Sequence, residues 1–266
     1  MEFENKVVVI TGGAQGIGKA IGEQFRKEGA LVEIIDVQPN PYAEAEVSFA
    51  EKMHVGAGNP EESNLEGKGA LGYFQGDLSK KEDLEAFVKY VIQKHGHVDV
   101  LVNNALPKMV GINEGSYEEF QYALAVGVTA PFYLAKLFKE HFAKGACIIN
   151  MSSSRDRMSQ PQTESYSAAK GGIASLTHAL AVSLGGKVRV NSISPGWIDT
   201  DYMVYEGPDA VQQPAGRVGH PLDIAHMVLF LCSEKAGFIT GENICIDGGM
   251  TKQMIYHGDH GWNLEE

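Results

Sequence analysis

Tyr166 and Lys170 stand four residues apart, and on a helix that spacing puts both on one face. A tyrosine phenol ordinarily titrates at about 10, too high for a base near neutrality. A cation beside it favours the phenolate and lowers that value. Lys170 is placed to be that cation, and a phenol so tuned can take a proton from an alcohol or give one to a carbonyl oxygen. Ser153, just past an apolar run, can hydrogen-bond the same oxygen. Tyr-x-x-x-Lys alone is a common surface pattern, and its weight comes from a second motif near the N-terminus.

That motif is Thr11-Gly12-Gly13-Ala14-Gln15-Gly16-Ile17-Gly18. An apolar run (residues 6–10) leads into it and a helical pattern (16–28) follows. A strand, glycine turn and helix in that order point the first free helix N–H groups, and the positive end of the helix dipole, at one spot. Glycines there permit close approach of the backbone to a pyrophosphate. Asp36 ends the next apolar run (31–35), where an acid can bond both ribose hydroxyls of an adenosine and repels a 2′-phosphate. The expected cofactor is therefore NAD rather than NADP.

These residues need a frame. Strand-like stretches fall at residues 6–10, 31–36, 72–75, 98–102, 146–151, 188–193 and 243–246, with helical patterns at 16–28, 79–95, 116–142, 164–184 and 221–232. Such alternation predicts an α/β fold: one doubly wound, Rossmann-type domain with a seven-stranded parallel sheet and helices on both faces. Ser79, with Glu82 three positions on, reads as a capping box. Residues 38–69 break the rhythm with three prolines, several glycines and many acids, and read as a surface insertion with a short helix at 43–53. Residues 1–250 form the catalytic domain on this reading, and 251–266 a tail. The glycine turn, Asp36, Asp77, Asn103, Ser153 and Pro195 all fall at strand carboxyl ends, where such folds bind ligands.

Composition excludes several partners. Net charge is −12, against nucleic acid and anionic membranes. No apolar run is long enough to span a bilayer, and MEFENK leads straight into the first strand, which leaves no room for a signal peptide. Cys147, Cys232 and Cys245 form no CxxC pair, so neither disulfides nor zinc are expected, as suits the cytoplasm. His95-x-His97 and His257-x-x-His260 have ligand spacing without a third ligand, and read as surface histidines.

Taken together, TGGAQGIG (11–18), Asp36, Asp77, NNA (103–105), Ser153, YSAAK (166–170), NSISPGW (191–197) and IDGG (246–249) resemble the short-chain dehydrogenase/reductase family in order and over nearly the full length. Thirteen positions separate Ser153 from Tyr166, the family's usual spacing, which favours Ser153 over Ser152 and Ser154. The resemblance implies that Tyr166 is the acid/base, that Lys170 lowers its pKa and binds the nicotinamide ribose, and that Ser153 orients the substrate oxygen. It implies that Asp77 and Leu78 lie near the adenine, Asn103 and Ala105 near the adenosine ribose and the cofactor backbone, and Pro195, Gly196, Ile198 and Thr200 near the nicotinamide. Gln15 stands where NADP-dependent relatives often carry a basic residue. Two positions depart from the pattern. Leu106 follows NNA in place of Gly, and Gly127 (in Val126-Gly127-Val128-Thr129-Ala130) replaces an Asn that helps hold a relay water to the lysine. The expectation is a triad rather than a tetrad, with a local helix break near Gly127 and Pro131 and a water in the vacated space.

Arg155, Trp197 and Tyr202 are the substrate-side candidates, Arg155 as partner of an anionic group unless Asp156 or Glu164 claims it. Met203, Val204 and Tyr205 suggest an apolar substrate or a flap packed on itself. The expected activity is interconversion of a secondary alcohol and a ketone with NAD, the substrate a small molecule. The alternative is a retired NAD-binding sensor or scaffold. The resemblance also implies a homo-oligomer, often a tetramer, for which the aromatic tail would serve as a contact.

Overall fold

The structure, a computed structural model, describes residues 2–42 and 69–259. Seven apolar runs become strands: β1 (Val7–Thr11), β2 (Leu31–Asp36), β3 (Leu71–Gln75), β4 (Val98–Asn103), β5 (Phe142–Met151), β6 (Val188–Pro195) and β7 (Asn243–Ile246). They pair in parallel in the order β3-β2-β1-β4-β5-β6-β7. The order reverses between β1 and β4, and that reversal opens a crevice beyond the strands' carboxyl ends.

Helices cover both faces: α1 (Gly16–Lys27), α2 (Lys81–His95), α3 (Tyr117–Leu124), α4 (Ala130–Phe138), α5 (Glu164–Ser183), α6 (Pro208–Val211) and α7 (Pro221–Cys232). Because successive strand residues point to opposite faces, Val7 and Val9 of β1 join one core with Phe87, Leu134 and Phe138. Val8 and Ile10 join the other with Ile21, Phe25, Ile224 and Val228. Strands buried on both sides need continuous apolar runs, which is why VVVI and LVEII read so clearly. Each fully buried large side chain contributes about 1.5–3 kcal/mol, enough in sum to hold the strand ends in register.

Several expectations require correction. The long helix over 116–142 is three pieces, α3, a π-helical turn (Ala125–Thr129) and α4. Pro131 has no N–H to give the Gly127 carbonyl four residues back, and Ala130 N–H reaches instead to the Ala125 carbonyl, five back. Phe142 lies in β5, opposite Val98, rather than in a helix. Ser79 caps nothing: α2 starts at Lys81 behind Lys80, with no side-chain cap. Asp83 organises that corner, accepting from Asp77 N–H at 2.8 Å, while Asp77 accepts from Ser79 N–H at 2.9 Å. A capping box does form at Ser116 and Glu119. His95 is not a surface residue; its Nε2 lies 2.7 Å from the buried Glu33 carboxylate. No cluster of potential metal ligands occurs among the described residues. The helix expected at 43–53, most of the 38–69 insertion, His260 and the end of the tail lie outside the described residues.

Candidate active site

An open cleft of about 1320 Å³ runs along the carboxyl ends of the strands, from Asp36 at one end past Tyr166 to Trp197 and Gln212. Its floor is the glycine turn. Gln15 precedes α1 without any side-chain cap, and no acid sits in the first helical turn. The first N–H groups of α1 are thus left for an anion, with the helix dipole behind them. The glycines mostly serve packing of the chain on itself. A Cβ on Gly12 (φ +68°) would stand 2.6 Å from Ala105 Cα, and one on Gly18 would stand 2.1 Å from the Gly12 carbonyl oxygen. Gly18 therefore shapes the turn from behind and does not line the cleft.

Asp36 is buried at the edge of the cleft. Its carboxylate accepts from Ala14 N–H (2.9 Å) and Gln38 N–H (3.0 Å). Two oxygens offer about four acceptor sites, so a pair of hydroxyls can still be bound there. Gly12, Gln15, Gly16, Ile17, Asp36, Val37 and Gln38 line this end without a lysine or arginine among them. An adenosine diol fits that chemistry; a 2′-phosphate meets a fixed negative charge.

Asp77, Leu78 and Ala105 line the cleft as expected. Asn103 does not. Its amide donates to Asn150 Oδ1 at 2.8 Å inside the sheet, and Asn150 in turn donates to Thr177. Its neighbour Asn104 takes the cleft position and donates to the Gly12 carbonyl at 2.7 Å. Thr11 Oγ1 accepts from the N–H groups of both Asn104 and Ala105. That latch ties the end of β4 to the glycine turn, and the cleft-facing amide is one residue on from the expected Asn103.

Ser153, Tyr166 and Lys170 come together on the opposite wall. Ser153 is in extended backbone, and its Oγ accepts from Arg155 N–H at 3.2 Å. The Ser152 hydroxyl gives its proton to the Lys170 carbonyl at 2.8 Å. Lys170 is buried, with Nζ 5.4 Å from the centre of the Tyr166 ring and donating to the Met151 carbonyl at 2.7 Å. Burial pulls the lysine down to about 7. Burial also raises the Tyr166 phenol above its ordinary value, while the Ser153 side chain and then the Arg155 charge act in the lowering direction. Desolvation thus sets the direction of the Tyr166 shift, with the Ser153 hydrogen bond and the Arg155 charge opposing it.

The π-helical turn explains the missing amide. A Cβ on Gly127 would lie 2.8 Å from Ala169 Cβ and 3.3 Å from the Pro107 ring. The space that a longer side chain would need is filled by the residue before Lys170 and by the second residue after NNA. The helix break near Gly127 and Pro131 is present; the roomy void beside it is not. Leu106 is exposed at the cleft mouth and does not crowd its interior.

On the substrate side, Arg155 and Trp197 line the cleft. Tyr202 does not. It is exposed, holds a left-handed backbone (φ +56°) and packs its ring edgewise on His220 at 5.2 Å. Trp197 instead meets Tyr205 at 4.9 Å, while Met203 and Val204 are exposed. Pro195, Gly196, Ile198 and Thr200 line the cleft, and Thr200 lies against Gly16, where an added Cβ would be 3.2 Å from its methyl. Sequence reasoning missed Asp156. Its carboxylate pairs with Arg157 (2.7 and 2.9 Å) and accepts from Ser194 (3.2 Å) and Asn243 (2.5 Å). It thereby pins the turn that carries Ser153 and Arg155 to β6 and β7. Met109, Tyr122 and Gln160 also line the cleft, with no sequence pattern to mark them.

Comparison with known proteins gives consistent relatives. A family model described as Enoyl-(Acyl carrier protein) reductase matches residues 12–251. An apo SCOR enzyme from Clostridium thermocellum superposes with a TM-score of 0.83 at 43% identity, covering 99% of this chain and 100% of the other. An uncharacterized oxidoreductase of Thermotoga maritima is 41% identical over 96% of this chain and 99% of its own. The Brucella melitensis short-chain dehydrogenase/reductase described as a glucose/ribitol dehydrogenase is 32% identical, with a TM-score of 0.77 over 94% of this chain and 98% of its own.

Proposed function

We propose a function from one premise: this chain belongs to the short-chain dehydrogenase/reductase family, and so is an oxidoreductase of that family with a nicotinamide dinucleotide cofactor. Our reading is an NAD-dependent enzyme that interconverts a secondary alcohol and a ketone, with Tyr166 as the acid/base. The observation that carries it is the convergence of Ser153, Tyr166 and Lys170 on one wall of the cleft that the glycine turn floors.

Asp36, the start of α1, Ala105 and Thr200 are the groups that would hold the dinucleotide, with Asp36 selecting NAD. When bound, the nicotinamide ring supplies or accepts a hydride. Ser153 Oγ fixes the substrate oxygen, and the Tyr166 phenol gives a proton to that oxygen in reduction or takes it in oxidation. Lys170 donates to the Met151 carbonyl, which holds the region around the phenol, and would also donate to a ribose hydroxyl of the bound dinucleotide. Burial raises the Tyr166 phenol above its ordinary value, and the same group serves as proton donor in reduction and, ionised, as acceptor in oxidation. The Brucella relative's description as a glucose/ribitol dehydrogenase supports a secondary alcohol as reaction centre.

Three unpaired cysteines support a working place in the reducing cytoplasm. A net charge of −12, with no helix among the described residues able to cross a membrane, supports a small-molecule substrate over nucleic acid or lipid. Exposed Phe132, Val182 and Phe238, all outside the cleft, support a homo-oligomer, with a tetramer expected. The rival, a retired NAD binder, draws on the filled space at Gly127. A panel of ketones assayed with NADH and NADPH separates the two. Turnover with NADH that falls about 10²–10⁴-fold in Tyr166→Phe, with NADH affinity kept, supports the enzyme. NADH binding with no turnover across the panel supports the rival.

A further inference from the structure

We propose that Arg155 anchors a carboxylate on the substrate, so that the cleft takes an oxo or hydroxy acid whose acid group lies a few bonds from the reacting carbon. This deepens the oxidoreductase reading above and rests on it for the position of the reacting carbon.

Arg155 follows Ser153 by two residues on a short 3-10 turn and lines the cleft. Its guanidinium carbon stands 5.8 Å from the centre of the Tyr166 ring. A guanidinium carries five N–H donors. Here one goes to Met109 Sδ at 3.0 Å and one to Gln160 Oε1. Both acceptors are neutral, and neither is a strong partner for a cation.

The acids that could neutralise Arg155 are engaged elsewhere. Asp156, its neighbour, is doubly bonded to Arg157 and saturated by Ser194 and Asn243. Glu164 accepts from Ile112 N–H at 3.1 Å. Among the described residues Arg155 makes no ion pair within 4 Å, unlike Arg157 and Arg217. A chain with net charge −12 thus keeps a guanidinium unpaired with any acid among the described residues, although Asp201 lines the same cleft. A fork of planar N–H donors suits a carboxylate, which accepts two of them in parallel. The same guanidinium overlooks the ring whose phenol handles the substrate oxygen, so acid group and carbinol are gripped close together. Gln160 and Met109 hold the fork in place without quenching its charge.

The test compares 4-oxo-4-phenylbutanoate with its methyl ester, two ligands of one shape and different charge. Affinities are measured by calorimetry on the full chain carrying Tyr166→Phe, with and without NADH, and again with Arg155→Gln and Arg155→Lys added. The acid should bind about tenfold or more tighter than the ester, as expected for a charge-assisted bidentate contact. Arg155→Gln should erase that ratio, and Arg155→Lys should keep part of it, since an ammonium has the charge but not the fork. Added salt should weaken the acid alone. Equal binding of acid and ester, including no binding of either, overturns the proposal, as does a preference that survives in Arg155→Gln. Turnover of both compounds by the Tyr166-containing protein is followed in parallel. An acid preference in binding without NADH consumption leaves the anchor standing and removes the oxidoreductase reading instead.

Discussion

The two halves of the cleft are built differently. The adenosine half is made of backbone: the turn of Gly12 to Gly18, latched by Thr11 and Asn104, with Asp36 fixed by two N–H donors. Each group there is held by bonds that exist before any ligand arrives. The reacting half is made of side chains on separate elements, Ser153 and Arg155 on a short turn, Tyr166 and Lys170 on α5, Trp197 and Thr200 on the segment after β6. The first half is rigid because glycine allows the chain to touch itself. The second is adjustable because its charges are tuned by burial and neighbours. A fold can keep one dinucleotide and change substrates when the two tasks are divided in this way.

The sharpest way to break the contrast is Gly18→Ala. Its Cβ would sit 2.1 Å from the Gly12 carbonyl, and a clash with backbone leaves no side chain to yield. We expect loss of about 3 kcal/mol or more in stability, read by denaturant unfolding, together with loss of NADH binding. Gly127→Asn carries the same logic to the other half. Against Ala169 and Pro107 it should cost about 1–3 kcal/mol and yield no gain in turnover at any pH; Ala169→Gly in the same chain should recover much of the stability.

Lys170→Met tests whether burial tunes the reacting half. The folded lysine titrates at about 7, below its ordinary 10.5. Its buried charge therefore opposes folding fully below pH 7, and the penalty fades as pH rises toward the unfolded value. Removing it should stabilise the protein by roughly 2 kcal/mol at pH 6, after allowance for the lost Met151 hydrogen bond, and that gain should vanish and then reverse as pH approaches 10, where the lost hydrogen bond dominates. A stability difference that is flat with pH would show that the ammonium is well solvated. Activity should fall in either case.

Asp36→Ser in the adenosine half should raise kcat/KM with NADPH about tenfold relative to NADH, about 1.4 kcal/mol, without changing Tm much. The smallest effect belongs to Tyr202→Gly. Tyr202 is exposed and left-handed, so glycine should stabilise by about 0.5–1 kcal/mol and leave KM alone. A raised KM there would return Tyr202 to the substrate wall.

What could be read from the sequence follows the same division. Uninterrupted apolar runs mark the strands, and the glycine turn and Asp36 stand where their spacing places them. Tyr166, Lys170 and Ser153 also meet as their spacing requires. Asn103 and Asn104 could not be told apart, because which of two adjacent amides faces a cleft depends on strand register. Tyr202 was misplaced because loop direction has no period. The direction of the Tyr166 shift is not legible in a four-residue motif, because burial is a property of the whole packed wall. Asp156 acts through Ser194 and Asn243, residues far along the chain, and no local pattern reveals such a tie.

The filled space beside Gly127 also constrains how this chain can change over generations. Pro107, Gly127 and Ala169 fit one another across three elements, so a lone codon change at 127 that restores an amide meets an occupied site, and selection would remove it before any catalytic gain could be seen. An amide at 127 is reachable only by two coordinated steps, the small neighbour first. Descendants are thereby held to whatever proton route the present three residues allow.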